Sequence, residues 1–193
     1  MIKFNEPYRT DVSLRHIGQL ATEGKLSGDG IFAEYCTSTL SQCLGGSEVL
    51  LTPSGTAALE LMMLASGLRP GDEVIVPSYT FSSTVNAICL FGYIPVFADV
   101  EAGTFNMAPT SIVDSITERT RAIMTVNYGG SSPNYTNVME ICHKHGLLLL
   151  EDAAQSIGAS FNAQPLGTFG AMSCLSFHET KHIPCGEGGA LLI

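Results

Sequence analysis

Residues 147–155 read Leu147-Leu148-Leu149-Leu150-Glu151-Asp152-Ala153-Ala154-Gln155, four leucines in a row that run straight into two carboxylates. An unbroken apolar run has no solvent-facing side, so it predicts a fully buried strand in a sheet covered on both faces. Asp152 then falls at the carboxyl end of that strand, where open α/β sheets bind their ligands. A carboxylate there is costly unless a cation pairs with it or the backbone amides of the next turn satisfy it. Both readings stay open on this stretch alone.

Working outward, strand and helix patterns alternate from about residue 48 onward. Val49-Leu50-Leu51 reads as a short strand, and residues 55–64, rich in Ala, Leu and Met, as a helix. Arg69-Pro70-Gly71-Asp72 marks a turn before the strand Glu73-Val74-Ile75-Val76. Residues 81–91 are expected to be helical, and 94–98 a strand whose Pro95 suits its start or a sheet edge. Pro109 opens a helix over 109–116, as proline does in a first turn. A strand over 121–126 and a helix over 134–145 lead back to the leucine run. Beyond Asp152 the pattern changes to short β segments around turns at residues 162–167. The reading is α/β, with a mostly parallel sheet and helices on both faces. Two further helices, 11–23 and 31–44, precede the sheet and could pack on its flank or on a neighbouring subunit. We divide the chain into an N-terminal helical segment, 1–45, and a sheet domain, 46–193.

Composition narrows the class. Of the 193 residues, 45% are hydrophobic and only 14% charged, which suggests apolar surface meant to be covered by a partner subunit or a further domain. The net charge of −9 argues against a nucleic-acid partner, since no basic patch could neutralise phosphates. The apolar runs are too short to span a bilayer, so no membrane partner is expected. The opening Met1-Ile2-Lys3-Phe4-Asn5-Glu6-Pro7 lacks a signal-peptide layout, and a cytoplasmic location is the expectation. The six cysteines show no paired spacing and read as buried free thiols. Cys142-His143-Lys144-His145 ends a helix, where basic residues suit the dipole, and is not read as a metal site.

Three segments carry chemistry. Lys181, in Ser176-Phe177-His178-Glu179-Thr180-Lys181, precedes the glycine-rich Gly186-Glu187-Gly188-Gly189 and offers an amine able to form a Schiff base. Thr52-Pro53-Ser54-Gly55-Thr56 joins a strand to a helix. Gly55 permits close backbone approach, and the helix start with the Thr56 hydroxyl suits an anion, although plain N-capping is the modest alternative. Ser176 could add a hydroxyl to that cup or be an ordinary strand serine. In Pro77-Ser78-Tyr79-Thr80-Phe81 an aromatic ring, Phe81 in preference to Tyr79, could stack on a planar ligand or simply be core. With Asp152 as partner for a protonated pyridine nitrogen, these parts are what a protein needs to hold pyridoxal 5'-phosphate (PLP) as an electron sink.

The segments SFHETK, EDAAQ, TPSGTAAL and PSYTF, together with FNEP and GKLSGDG near the N-terminus, resemble the DegT/DnrJ/EryC1/StrS family of PLP-dependent sugar aminotransferases. The resemblance runs from residue 2 to residue 193. It implies the large domain of a fold type I (aspartate aminotransferase-like) PLP-dependent transferase. It also implies glutamate as amino donor, a nucleotide-linked 4-keto-6-deoxy sugar as acceptor, a place in surface polysaccharide biosynthesis, and a homodimer with shared active sites. By position, Lys181 is implied as the Schiff-base lysine and Asp152 as the partner of the pyridinium nitrogen. Gln155 would meet the cofactor's phenolic oxygen and Phe81 its ring face. Gly55, Thr56 and Ser176 would bind the phosphate. Asn127 and the run Tyr128-Gly129-Gly130-Ser131-Ser132 stand where relatives often carry a histidine and a different loop.

The related sugar dehydratases place histidine where this chain has Lys181, which sets that reading aside. The resemblance further implies a C-terminal small domain that is absent from residues 1–193, so turnover by this stretch alone is not expected. The alternative from a different class is a non-catalytic PLP-binding or interaction remnant.

Overall fold

The computed structural model describes residues 2, 5–7, 10–23, 25 and 28–193. Phe4 of the FNEP segment and Gly24, Leu26 and Ser27 of GKLSGDG lie outside the described residues. The leucine run forms the strand β5 (Leu148–Asp152) near the middle of a sheet whose other strands are β1 (Val49–Thr52), β2 (Glu73–Pro77), β3 (Ile94–Ala98), β4 (Thr120–Val126), β8 (Met172–Ser176) and β9 (Gly189–Leu192). The spatial order is β1-β9-β8-β5-β4-β2-β3. Pairing is parallel from β3 through β2, β4 and β5 to β8. Only β9 runs against its neighbours, being antiparallel to both β8 and β1. Six strands therefore end on the same side of the molecule, and that side holds the site described below. A two-strand ribbon, β6 (Ser160–Phe161) and β7 (Gln164–Pro165), stands apart.

Alternation within the buried strands sorts their side chains to two faces. Val74, Val76, Ala122, Met124, Leu150 and Cys174 meet Met62 and Met63 of α3 (Gly55–Ala65) and Ala87 and Ile88 of α4 (Ser82–Leu90). The intervening Ile75, Ile123 and Leu149 meet Ile112 of α5 (Pro109–Asp114) and Tyr135, Val138 and Cys142 of α6 (Tyr135–His145). Period-two strands thus feed two helical layers. Of the N-terminal helices, α2 (Ile31–Cys43) reaches the sheet through Leu40 and the buried Leu44, which pack with Val49, Leu175 and Ala190. By contrast α1 (Asp11–Glu23) leaves Val12, Leu14 and Ile17 exposed.

Several boundaries move from those read in the sequence. Phe81 is the residue before α4 rather than part of it, with extended backbone and its carbonyl accepting from the N–H of Thr84. The strand β5 starts one residue later than expected and continues through both carboxylates, with Leu147 only partly buried. The helix opened by Pro109 stops at Asp114. Pro95 lies on β3, an edge of the sheet, as a residue without an N–H requires. The expectation of buried cysteines holds for Cys142 and Cys174. Cys36, Cys43, Cys89 and Cys185 are instead exposed, on solvent-facing sides of their helices and loops. Among the described residues no helix is long and apolar enough to cross a membrane.

Glu151 is a fully buried anchor that nothing near it in sequence foretells. Its Oε1 accepts from the N–H groups of Phe169 (2.5 Å) and Gly170 (2.7 Å). Its Oε2 accepts from the Tyr135 hydroxyl (2.7 Å), the Gly167 N–H (2.9 Å) and Asn127 Nδ2 (3.2 Å). Five donors answer the desolvation of one carboxylate, which is how a buried charge without a cation becomes tolerable. The contacts clamp the 167–170 loop onto β5, and Phe169 stacks on Tyr135 at 4.1 Å between ring centroids. Burial, and then the Glu151 charge, push the Tyr135 phenol well above its ordinary value, so it remains a donor.

Candidate active site

The carboxyl ends of β1, β2, β4, β5 and β8 converge on a cavity of about 520 Å³. Each strand delivers a different segment: Ser54-Gly55-Thr56 after β1, Phe81 after β2, Asn127-Tyr128 after β4, Asp152 through Gln155 on β5, and Ser176 through Lys181 after β8. All seven residues singled out from the sequence line it: Gly55, Thr56, Phe81, Asp152, Gln155, Ser176 and Lys181. They come from four stretches spread over the chain, so only the parallel topology brings them together.

The floor of one end is the start of α3. Ser54 Oγ caps the helix by accepting from the Ala57 N–H at 3.1 Å, and the Ala58 N–H returns to the Ser54 carbonyl. The N–H groups of Gly55 and Thr56 are left without an acceptor among the described residues, at the positive end of the helix dipole. Backbones crowd closely here. A Cβ on Gly55 would lie 2.7 Å from Ser176 Cβ and 3.0 Å from its Oγ, and a Cβ on Gly189 would lie 2.5 Å from the Ser54 carbonyl. Thr56 Oγ1 and Ser83 Oγ share a hydrogen bond of 2.9 Å across the two helix starts. The hydroxyls of Thr56, Ser83 and Ser176 and the two N–H groups without an acceptor among the described residues therefore gather where the sequence reading placed an anion cup.

Asp152 stands across the cavity, 4% exposed. Its Oδ2 accepts from Thr84 Oγ1 at 2.7 Å, and its Oδ1 from the Ala154 N–H at 3.1 Å and the Cys174 thiol at 3.4 Å. The next-turn amide foreseen as one way to satisfy it is thus present, but it serves one oxygen only. Two lone pairs per oxygen leave one acceptor site on Oδ2 without a donor among the described residues. Burial, and then the Asp152 charge, hold the Cys174 thiol well above its ordinary value, so it stays a donor.

Lys181 is half-buried on the 12-residue connection from β8 to β9, its backbone N–H bonded to the His178 carbonyl at 2.9 Å. Its Nζ has no hydrogen bond or ion pair among the described residues. Beside it, His178 Nε2 lies 3.5 Å from Glu187, and its Nδ1 lies 2.8 Å from Thr180 Oγ1. Gln155 Oε1 accepts from the Gly129 N–H at 2.8 Å, which fixes the side chain and leaves its amide NH₂ without an acceptor among the described residues. Phe81 lines the cavity yet is 64% exposed, at its mouth. Tyr79 instead packs on Tyr128 (4.6 Å) and Phe105 (5.2 Å). The hydrogen bond with Tyr79, then burial, raise the Tyr128 phenol above its ordinary value.

The sequence profile of the DegT/DnrJ/EryC1/StrS aminotransferase family matches residues 10–193. The chain belongs to this family. GDP-perosamine synthase from Vibrio cholerae is 33% identical over 192 residues, 100% of this chain and 52% of that protein. The aminotransferase TlmJ from Streptoalloteichus hindustanus superposes with a TM-score of 0.95 at 30% identity, over 100% of this chain and 53% of that one. The PLP form of a sugar aminotransferase from Streptococcus pneumoniae gives 0.92 at 27% identity, over 99% and 52%. The chain therefore spans about half the length of these DegT/DnrJ/EryC1/StrS relatives. Its sheet is the α/β architecture of these PLP-linked structures, as the sequence led one to expect.

Three groups in or beside this cavity escaped the sequence reading: Thr84, Cys174 and Ser83. The hydroxyl run Ser82-Ser83-Thr84, directly after Phe81 at a helix start, was the available signal for two of them. Cys174 offered none, since an apolar strand hides a cysteine as an ordinary core residue.

Proposed function

We propose that this chain carries the cofactor-binding part of a PLP-dependent aminotransferase that moves an amino group from glutamate to a nucleotide-linked 4-keto-6-deoxy sugar. The observation behind the proposal is the convergence of seven residues from four segments on one cavity at the carboxyl ends of the parallel strands. The residues present fit PLP. Among the described residues, the crowded start of α3 has two N–H groups in need of an acceptor, Asp152 has one open acceptor site, and the amine of Lys181 is unpartnered.

In this reading Gly55, Thr56 and Ser176 hold the phosphate, Asp152 the ring nitrogen, Gln155 the phenolic oxygen and Phe81 the ring face. Lys181 holds the carbonyl carbon through its amine. Bound PLP supplies an electron sink for negative charge developing at the carbon that loses a proton. The Asp152 carboxylate, buried on the cavity wall, would pair with the ring nitrogen and favour its protonated form. With PLP bound, Lys181 Nζ would be the base that accepts the α-proton of glutamate and, in the acceptor half of the reaction, the acid that delivers a proton to the sugar carbon.

The proposal also treats residues 46–193 as the large domain, with 1–45 as a helical segment on its flank, and sets the protein in the cytoplasm. Exposed Leu50 and Leu51 on the edge strand β1, with Tyr35 and Ile31 on α2, support a homodimer. Since the relatives continue well beyond the matched region, residues 1–193 alone are expected to bind PLP without turning over a keto sugar. Purified chain titrated with PLP should gain a visible absorption band, and the uncombined chain should score zero in a coupled glutamate assay. No spectral change with PLP would refute the cofactor reading, and robust turnover by residues 1–193 would refute the need for the remainder.

A further inference from the structure

The carboxylate of Asp152 is held by a directed chain of hydroxyls from one side and a thiol from the other. Thr80 Oγ1 donates to Thr84 Oγ1 at 2.8 Å, and Thr84 Oγ1 donates to Asp152 Oδ2 at 2.7 Å. Because Thr84 accepts from Thr80, its single proton is committed to Asp152. Thr84 is 0% exposed, so no water competes for that bond. On the other oxygen, Cys174, also 0% exposed, points its thiol at Oδ1 from the adjoining strand β8. Strand β5 fixes the Asp152 backbone, but a carboxylate still turns about its side-chain bonds. Thr84 from α4 and Cys174 from β8 stop that rotation from opposite sides.

We propose that Thr84, supported by Thr80, and Cys174 are positioning residues that lock Asp152 in the one orientation whose open acceptor site serves the ring nitrogen of the cofactor. The value of this lock to the cofactor rests on the PLP reading above; the lock itself does not. It also joins the Ser78–Phe81 segment, whose Phe81 lies at the cavity mouth, through Thr80 and Thr84 to the Asp152 carboxylate.

The test uses the whole chain and two readouts. The infrared S–H stretch of Cys174, isolated as the difference between wild type and Cys174→Ala, reports its bond to Asp152 without any cofactor. In Thr84→Val, nearly isosteric but without the hydroxyl, this band should move, and in Thr84→Ser it should return to the wild-type position. The affinity for PLP, followed by its visible absorbance, should fall about 10- to 100-fold in Thr84→Val, the scale of one hydrogen bond to a charged group, and recover in Thr84→Ser. Cys174→Ala should lose less, because a thiol is a weak donor. An S–H band and a PLP affinity that both ignore Thr84→Val overturn the proposal. A wild-type chain with the Thr84-sensitive band but no uptake of PLP supports the lock and overturns the cofactor reading.

Discussion

Replacing Glu151 by glutamine should be among the most damaging single-atom changes in this protein. The side chain keeps its shape, but one oxygen becomes an NH₂ group in a site furnished with five donors. Setting the NH₂ at the Oε1 position would oppose two backbone N–H groups that cannot turn, those of Phe169 and Gly170. The amide therefore takes the Oε2 position, where the Tyr135 hydroxyl and the Asn127 amide can rotate to accept. The Gly167 N–H cannot, and is left buried and unpaired at a cost of about 1–3 kcal/mol. The two bonds at Oε1 also lose their charge assistance, about 1 kcal/mol more in sum. A destabilisation of about 3 kcal/mol is a large share of the ~5–15 kcal/mol of a typical domain. Urea titration should show a lower midpoint with an unchanged slope, and the amides of Gly167, Phe169 and Gly170 should exchange with deuterium much faster than those of β4. Stability within about 0.5 kcal/mol of wild type, the usual scatter of an inert surface change, would refute the argument.

Gly55→Ala should cost about 1–3 kcal/mol by overpacking against Ser176, and the double variant Gly55→Ala with Ser176→Gly should recover most of it in the same urea titration. Glu73 has its carboxyl lowered from its ordinary 4.5, first by the Thr117 hydroxyl and then, against burial, by the Arg119 guanidinium. A lowered folded-state value gives stability that is fully present above about pH 4.5 and lost as the pH falls below it. Glu73→Gln should accordingly flatten the acid limb of a pH-stability profile, and an unchanged limb would contradict the assignment. Alkylation of native protein near pH 8 should reach the exposed Cys36, Cys43 and Cys89 first. It should spare Cys174 and Cys142, the latter pushed up to about 11 by burial; early labelling of either would contradict the packing.

The fold was legible wherever local signals agreed with the global arrangement. The leucine run, the turn at Arg69-Pro70-Gly71-Asp72 and the proline opening α5 each marked an element, because apolar period and backbone-restricting residues act within a few positions. The location of Asp152 followed from strand length alone. What stayed hidden was long-range. The donors to Glu151 come from residues 127, 135 and 167–170, and Thr84 meets Asp152 across 68 positions, so neither pairing leaves a local pattern. The exposure of Cys36, Cys43 and Cys89 likewise depends on which helix faces find a neighbour, which composition cannot say.

The central claim is that Lys181 is the amine that holds PLP in this cavity. Incubation with PLP, reduction with borohydride and mapping of the labelled peptide test it most directly. The account predicts a single modified peptide carrying Lys181, reduced in yield when Asp152 is changed to asparagine. A label on Lys144 or Lys25 instead, or a wild-type chain that traps no PLP at all, would contradict it.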